Sequence, residues 1–407
     1  MTRVIFIKMA LIIVTMLIGT GNMIVTNAQD FKLTGQIRHR TERDGKDFSD
    51  NSASFGFSLL RSRINLKFSK EKSYAFVQVQ DSRVFGSEIN TLSDGSADAL
   101  DFHQAYYSVA DIFTEGLSVK VGRFEVAYGN ERIMGAVGWH NIARSFDGVT
   151  FSYKAEQYKA DLFYLKEVEL SAVDDIGDQD VRGVWVETSF AKPTRLDLYV
   201  INQRLAPGDV LDRNTIGVYS KGKYDMGSFS LSQEVDLAIQ SGTNGGNSVN
   251  ASLIGVRVKF TAKETTYKFW SGVGYDQVSG DDSTTSDDEA FNTLYATNHK
   301  YYGFMDYFLN IPVHSQGAGL RDLILSGGFK PVDKFSVEAN FHVMSSSEEV
   351  KGQSSFGTEI DVTAVYGYSK DLSIVAGIST FSPGDLFKNW KGEDSSSWGY
   401  LMTIYNF

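Results

Sequence analysis

The sequence predicts an all-β fold, a transmembrane antiparallel β-barrel of about 18 strands, with 16 as the alternative count. Three observations carry that prediction. Apolar and polar residues alternate at period two in many short segments, the gaps between segments sort into long and short, and the last alternating segment ends on Phe407. Successive side chains of a strand point to opposite faces, so such alternation means one greasy face and one wet face.

Composition narrows the field first. The chain has 407 residues with 38 Gly, 5 Pro, no Cys, 13% aromatics and a formal charge of −11. Aromatics are too frequent for a disordered chain, and Gly shows no collagen period. Without Cys there can be no disulfide scaffold and no thiolate-held zinc or iron–sulfur centre. The acidic total argues against nucleic acid as a partner, because that affinity rests on Lys and Arg neutralising phosphates. Length alone would allow two or three ordinary domains or one large barrel.

The N-terminus reads as a secretory signal peptide over residues 1–28. Arg3 and Lys8 form a basic start, residues 9–18 (MALIIVTMLI) are apolar, and Thr26-Asn27-Ala28 ends in a small residue suited to cleavage. A membrane anchor would need about 20 apolar residues, and Gly19, Thr20, Gly21 and Asn22 interrupt this one. Residues 29–407 are then expected to be a single outer-membrane barrel domain, with a formal charge of −13 once Arg3 and Lys8 are removed from the −11 of the whole chain.

The alternating segments follow in order: 31–41, 56–68, 74–84, 101–110, 117–126, 146–154, 158–167, 181–190, 195–204, 213–221, 228–240, 250–260, 265–277, 319–329, 335–344, 358–368, 372–381 and 397–407. In 227–240, Phe229, Leu231, Val235, Leu237 and Ile239 alternate with Ser230, Ser232, Glu234, Asp236 and Gln240. The lengths suit tilted membrane strands of about 9–11 residues. Alternation alone also fits a soluble sandwich, whose apolar face would be its core. The gaps separate the two readings. Long polar gaps (42–55, 85–100, 127–145, 168–180, 205–212, 241–249, 278–318, 345–357, 382–396) take turns with short ones such as 155–157, 191–194 and 369–371. Short periplasmic turns and long extracellular loops are the layout of bacterial outer-membrane barrels. The terminal Leu401, Thr403, Tyr405 and Phe407 share one face and resemble the signal read by the outer-membrane barrel assembly machinery. Closure removes the strand edges that lipid would leave unpaired.

Arginines are unevenly spread: 13 lie between residues 29 and 214, and two, Arg257 and Arg321, after that. Arg38 and Arg40 share the polar face opposite Phe31, Leu33 and Ile37, and Arg61 and Arg63 share the polar face of the next segment. Guanidinium forks match carboxylates, so a lumen ladder of them would ease the crossing of a polyanion. Arg123, Arg132 and Arg144 are further lumen candidates, although Arg123 shares parity with Val119 and Val121, which puts it at a bulge or beyond the lipid band. The alternative is that these arginines neutralise inward Asp and Glu or touch lipopolysaccharide at the rim.

Other features read more plainly. Asp281, Asp282, Asp287, Asp288 and Glu289 lack the spacing of a calcium loop and are expected in a solvated loop. The six histidines show no metal-ligand spacing, so no metal and no cofactor are expected. His103 and Ser108 do not make a hydrolytic constellation, and no enzyme activity is expected. Tyr295, Tyr301, Tyr302, Phe304, Tyr307 and Phe308 occupy the longest gap, as a sugar-stacking constriction, an aromatic girdle or a loop packed on the wall.

Residues 59–83 (LLRSRINLKFSKEKSYAFVQVQDSR), 103–107 (HQAYY), 121–135 (VGRFEVAYGNERIMG), 139–150 (WHNIARSFDGVT) and 298–308 (NHKYYGFMDYF) resemble the alginate-export family of outer-membrane channels. The ordered set Val121-Gly122-Arg123, Tyr128-Gly129, Glu131-Arg132 and Arg144-Ser145-Phe146-Asp147-Gly148 is specific to that resemblance. It implies an 18-stranded monomeric barrel in outer-membrane lipid and lipopolysaccharide, with a positively charged lumen suited to an anionic sugar. Two functional expectations follow: a channel for anionic oligo- or polysaccharide such as alginate, or a general-diffusion porin whose arginines only shape the field.

Overall fold

The computed structural model describes residues 30–49, 52–86, 100–169, 177–206 and 210–407. The expected signal peptide lies outside the described residues, as do parts of four expected loops, 50–51, 87–99, 170–176 and 207–209. Eighteen strands form one sheet: β1 Asp30–Gly45, β2 Phe55–Lys70, β3 Ser73–Val84, β4 Leu100–Ala110, β5 Leu117–Phe124, β6 Phe146–Lys154, β7 Tyr158–Val168, β8 Gln179–Ala191, β9 Thr194–Leu205, β10 Leu211–Asp225, β11 Phe229–Asn244, β12 Asn247–Ala262, β13 Trp270–Val278, β14 Leu320–Val332, β15 Phe335–Val350, β16 Gln353–Gly367, β17 Leu372–Pro383 and β18 Ser396–Asn406. Every strand pairs antiparallel with its sequence neighbours. The cylinder closes where β1 pairs with both β2 and β18, placing Arg38 opposite Arg61 on one side and Ile404 on the other. The count is therefore 18, not 16.

The faces are inverted relative to a soluble protein. On β11, Leu237 and Ile239 are exposed while Asp236 and Gln240 on either side of them are buried. The same inversion recurs on β16, where Ile360 is exposed and Glu359 and Asp361 are buried. An apolar outer band over a polar interior is what lipid demands, and it removes the sandwich reading. Phe407 sits at the seam: its backbone exchanges hydrogen bonds with Gly35 at 2.8 and 3.0 Å, and its ring lies where a Gly35 side chain would stand.

Three boundaries differ from expectation. The gaps 241–249 and 345–357 are not loops. β11 and β12 continue to a two-residue turn at Gly245-Gly246, and β15 and β16 to one at Lys351-Gly352. Both turn residues have positive φ (57° and 90°, then 52° and 78°), the primed geometry that matches strand twist. These strands rise beyond the apolar band as a polar ladder, so composition disguised them. On the short-turn side, residues 263–269 form a longer connection because β13 starts at Trp270.

The buried apolar core lies inside the barrel, where inward loops pack against inward strand residues such as Leu165, Ile201 and Leu253. Segments 125–145 and 279–319 fold inward and join the short helix Asp385–Trp390. Phe291, Tyr302, Met305, Phe308 and Ile311 pack there with Phe356, Phe381 and Phe387.

Candidate channel interior

The four arginines of β1 and β2 point inward, and three of them are nearly fully buried. Arg38 and Arg61 face each other across the ladder, where like charges repel unless something intervenes. What intervenes is the backbone of the inward loop 125–145. Arg38 donates to the carbonyls of Gly138 (2.7 Å) and His140 (3.1 Å), and Arg61 donates to the same two at 3.0 and 3.2 Å. Arg40 donates to the Trp139 carbonyl at 2.8 Å and lies 4.0 Å from the Trp139 ring centre. Arg63 and Gln80 both reach the Ile142 carbonyl, at 3.4 and 2.9 Å. The loop is held against local preference, since Glu131, Val137 and Ala143 all adopt positive φ.

The charge balance of this quartet matters. Arg40 has a carboxylate partner in Glu42 (2.7 Å) and Arg63 has one in Glu125 (3.1 Å). Arg38 and Arg61 are answered by neutral acceptors, the loop carbonyls, Asn141 and Gln36. Two positive charges thus remain uncompensated beside the lumen while also anchoring the loop.

The other three candidates separate. Arg132 is a strut, 2% exposed, with Nε 3.3 Å from Asp236 and Nη1 3.1 Å from both Asp276 and the Tyr302 hydroxyl. Burial would weaken its hold on a proton, but Asp276, then Tyr302 and Asp236, keep its pKa well above the ordinary value. Arg144 is tied by its backbone N–H to Ala136 (2.8 Å) and lies 5.5 Å from the Tyr295 ring centre. Burial lowers its pKa, with Glu167 opposing. Arg123 is not a lumen residue. It lies on the outer face in line with Val121 and is bound through two hydrogen bonds, 2.9 and 2.7 Å, to Asp147. Its parity with Val119 and Val121, which suggested a bulge or a place beyond the lipid band, here corresponds to the outward face of β5.

Lysines are the inward cations that the arginine count passed over. Near the short-turn end Lys67 lies 4.2 Å from the Tyr74 ring centre, Lys120 3.9 Å from Phe124, and Lys259 3.6 Å from Trp270. Lys159, Arg195 and Lys221 lie at the same end, paired to Asp161, Asp197 and Glu234 at 2.7, 2.6 and 3.0 Å. Their parity was readable: Lys67 shares the polar face of Arg61 and Arg63, and Lys259 alternates with Val258 and Phe260.

Between the inward loops and the β12–β18 wall is a chamber of about 600 Å³. Loop residues Trp139, His299, Lys300 and Phe304 face Arg257, Glu338 and Tyr400 across it. His299 stacks on Trp139 at 4.2 Å and on Phe304 at 5.0 Å, with Nδ1 2.6 Å from Asp306. Of the six aromatics in the longest gap, Tyr295, Tyr302 and Phe308 are buried in the wall packing, Tyr307 bonds Ser396 at 2.7 Å, and Tyr301 and Phe304 line the chamber. His103 pairs with Glu125 at 2.8 Å, and His342 with Asp322 at 2.7 Å. In the acidic segment 281–289 Asp281 accepts from the Glu289 N–H at 3.1 Å within the turn, whereas Asp288 accepts from Asn244 at 2.7 Å and lies 3.7 Å from Arg213. Among the described residues no cluster of three or more His, Asp or Glu is placed to hold a metal.

The sequence matches the alginate export family over residues 29–400. The chain belongs to that family. Solved outer-membrane porins share its fold. OccK11 (OpdR) of Pseudomonas aeruginosa is 14% identical with a TM-score of 0.62, covering 94% of this chain and 97% of its own. OccAB4 of Acinetobacter baumannii is 11% identical with a TM-score of 0.64, covering 93% and 99%. P. aeruginosa OpdK, solved with vanillate, is 12% identical with a TM-score of 0.60, covering 92% and 98%. No curated protein matches the sequence. The alginate-export chain is thus a porin-like channel of the bacterial outer membrane, with the family and fold of transport proteins rather than enzymes.

Proposed function

We propose that this channel passes anionic oligosaccharides, uronates such as short alginate fragments, as a monomer delivered by a signal peptide and the barrel assembly machinery. The observation that carries the reading is the positive charge along the interior that no close ion pair takes up: Arg38 and Arg61 bonded to neutral acceptors, and Lys67, Lys120 and Lys259 resting on aromatic rings, with Asp161 near Lys120 and Glu338 near Lys259. In a confined, partly dehydrated lumen each such charge attracts a carboxylate more strongly than it would in bulk water. The folded loops and the chamber of about 600 Å³ favour short solutes over a polymer threading through a fixed pore. That OpdK was solved with a small carboxylate, vanillate, agrees with an anionic solute for this fold.

Purified barrel in planar bilayers tests this. Reversal potentials under a salt gradient should show anion preference, and di- to tetra-uronates should block current at concentrations where neutral sugars of equal length do not. Cation preference, or equal block by both sugars, would favour the general-diffusion porin.

A further inference from the structure

The chamber continues towards the short turns along β15 and β16. Its lining includes Ser336 and Val365, which stand opposite each other in the β15–β16 register, and the same two residues line a second cavity of about 400 Å³. Both occupy inward positions, Ser336 in line with the buried His342 and Val365 in line with the buried Asp361. One step further down, the Gly367 N–H donates to the Lys334 carbonyl at 2.8 Å. The missing side chain at Gly367 keeps the floor of this cavity open, since a Cβ there would meet only the Lys334 carbonyl, at 3.8 Å. A route therefore runs down this wall from the chamber to the periplasmic mouth.

That mouth is cationic. Lys330, Lys334 and Lys370 surround the second cavity with one carboxylate, Asp333. Three turns are stitched together there: Lys268 holds Asp333 at 3.0 Å, the Lys330 N–H donates to the Tyr267 carbonyl at 2.7 Å, and Lys334 Nζ donates to the Tyr368 carbonyl at 3.3 Å. Asp333 is thus already answered by Lys268, with Lys330 near it. Lys370 lies a loose 4.0 Å from Asp371, its side chain 90% exposed. Among the described residues neither Lys330 nor Lys334 has a carboxylate within 4.0 Å. Four lysines, Lys268 included, therefore meet two aspartates, and positive charge is left over at the opening. The next inward carboxylate up the wall, Glu338, has Lys259 near it.

We propose that Lys330, Lys334 and Lys370 form a capture site at the periplasmic mouth for the carboxylates of an acidic sugar, which then passes along the β15–β16 wall into the chamber. The site rests on the anionic-solute reading above and adds where such a solute is first held. Ammonium groups suit that task. Each is a compact, hydrated charge on a flexible stem, without the planar fork by which an arginine grips a carboxylate at two points. Open to water, such charges raise the local concentration and on-rate of an anion more than its residence time. A channel needs that balance, because a solute has to bind strongly enough to enter and weakly enough to leave.

Single-channel block of the full barrel in planar bilayers by a tetra-uronate, added to one side at a time, tests the site. The chain has no Cys, so a Lys370→Cys control with a membrane-impermeant thiol reagent reports which side carries the short turns. Lys330→Gln/Lys334→Gln/Lys370→Gln should lower the block on-rate from the short-turn side about fivefold at about 0.1 M salt. The on-rate from the loop side and the off-rate should stay near wild type, and the difference should vanish at about 1 M salt, where the screening length is about 3 Å. Gly367→Leu, which fills the cavity and keeps the charges, should lower conductance and the short-turn-side on-rate together, and serves if the charge variant fails to fold. An unchanged short-turn-side on-rate in either folded variant, or an equal fall from both sides, overturns the capture site and leaves the anionic-solute reading standing. A wild-type barrel that conducts but is blocked by uronates from neither side overturns that reading and this site together.

Discussion

Arg132 shows how one side chain can be misread from sequence and still be decisive. It was a reasonable lumen candidate, yet the fold spends it between two carboxylates from different strands, Asp236 and Asp276, under the Tyr301 ring. Replacing it with Met leaves Asp276 with Arg257 and Asp236 with Asn130, at 2.6 and 2.5 Å, but strips the shared charge from a buried site. Breaking buried pairs in this way costs about 3–5 kcal/mol, and the surviving partners put this case at the lower end. Urea unfolding in detergent should show that loss; a change below about 1 kcal/mol would mean that Arg132 is not the strut. His140 offers a second residue-scale test. Partial burial, then the Arg40 and Arg38 charges, lower its pKa from the ordinary 6.5. The undocked loop therefore binds more protons than the docked one. Docking is favoured above about pH 6.5 and loses that contribution as the pH falls towards the lower docked value. Open-channel noise should rise between pH 7.5 and 5.5, and His140→Asn should flatten the dependence.

At the scale of elements, the strands were legible because each has to repeat one rule, apolar towards lipid and polar towards the lumen, and nothing else satisfies both solvents. β7 and β17 match their expected segments to within a residue or two for that reason. The hairpins at Gly245-Gly246 and Lys351-Gly352 were not legible, because strands above the membrane have two wet faces and no period to show. The destination of loop 125–145 was hidden for a different reason. Its anchor points are the carbonyls of Gly138, Trp139, His140 and Ile142, which every residue possesses, so no side-chain signature announces them. Arg38→Gln/Arg61→Gln should free this segment, raising single-channel conductance and adding flicker on the millisecond scale. Unchanged conductance with a folded barrel would mean that Arg40, Arg63 and Gln80 suffice to hold it.

Across the whole molecule the formal charge of −11 says little about what the pore prefers, because charge is sorted by place. In the segment 281–289, Asp281, Asp282 and Glu289 close their own turn while Asp288 reaches Asn244 and the inward Arg213, and on the outer face Asp147 answers Arg123. The short-turn half of the interior keeps Lys67, Lys120 and Lys259 against aromatic rings, with Asp161 near Lys120 and Glu338 near Lys259. These lysines and the loop-pinning arginines do different work, and mutation separates them. Lys67→Gln/Lys120→Gln/Lys259→Gln removes three charges without touching a loop contact, so conductance at high salt should stay near wild type while anion preference falls. The arginine variant should change conductance as well as preference. The contrast should be largest at about 0.01 M salt, where the screening length is about 30 Å and spans the lumen, and should shrink at 1 M, where it is about 3 Å. If the triple lysine variant keeps its reversal potential at low salt, the lysines do not set selectivity, and the field of the arginine quartet must account for it alone.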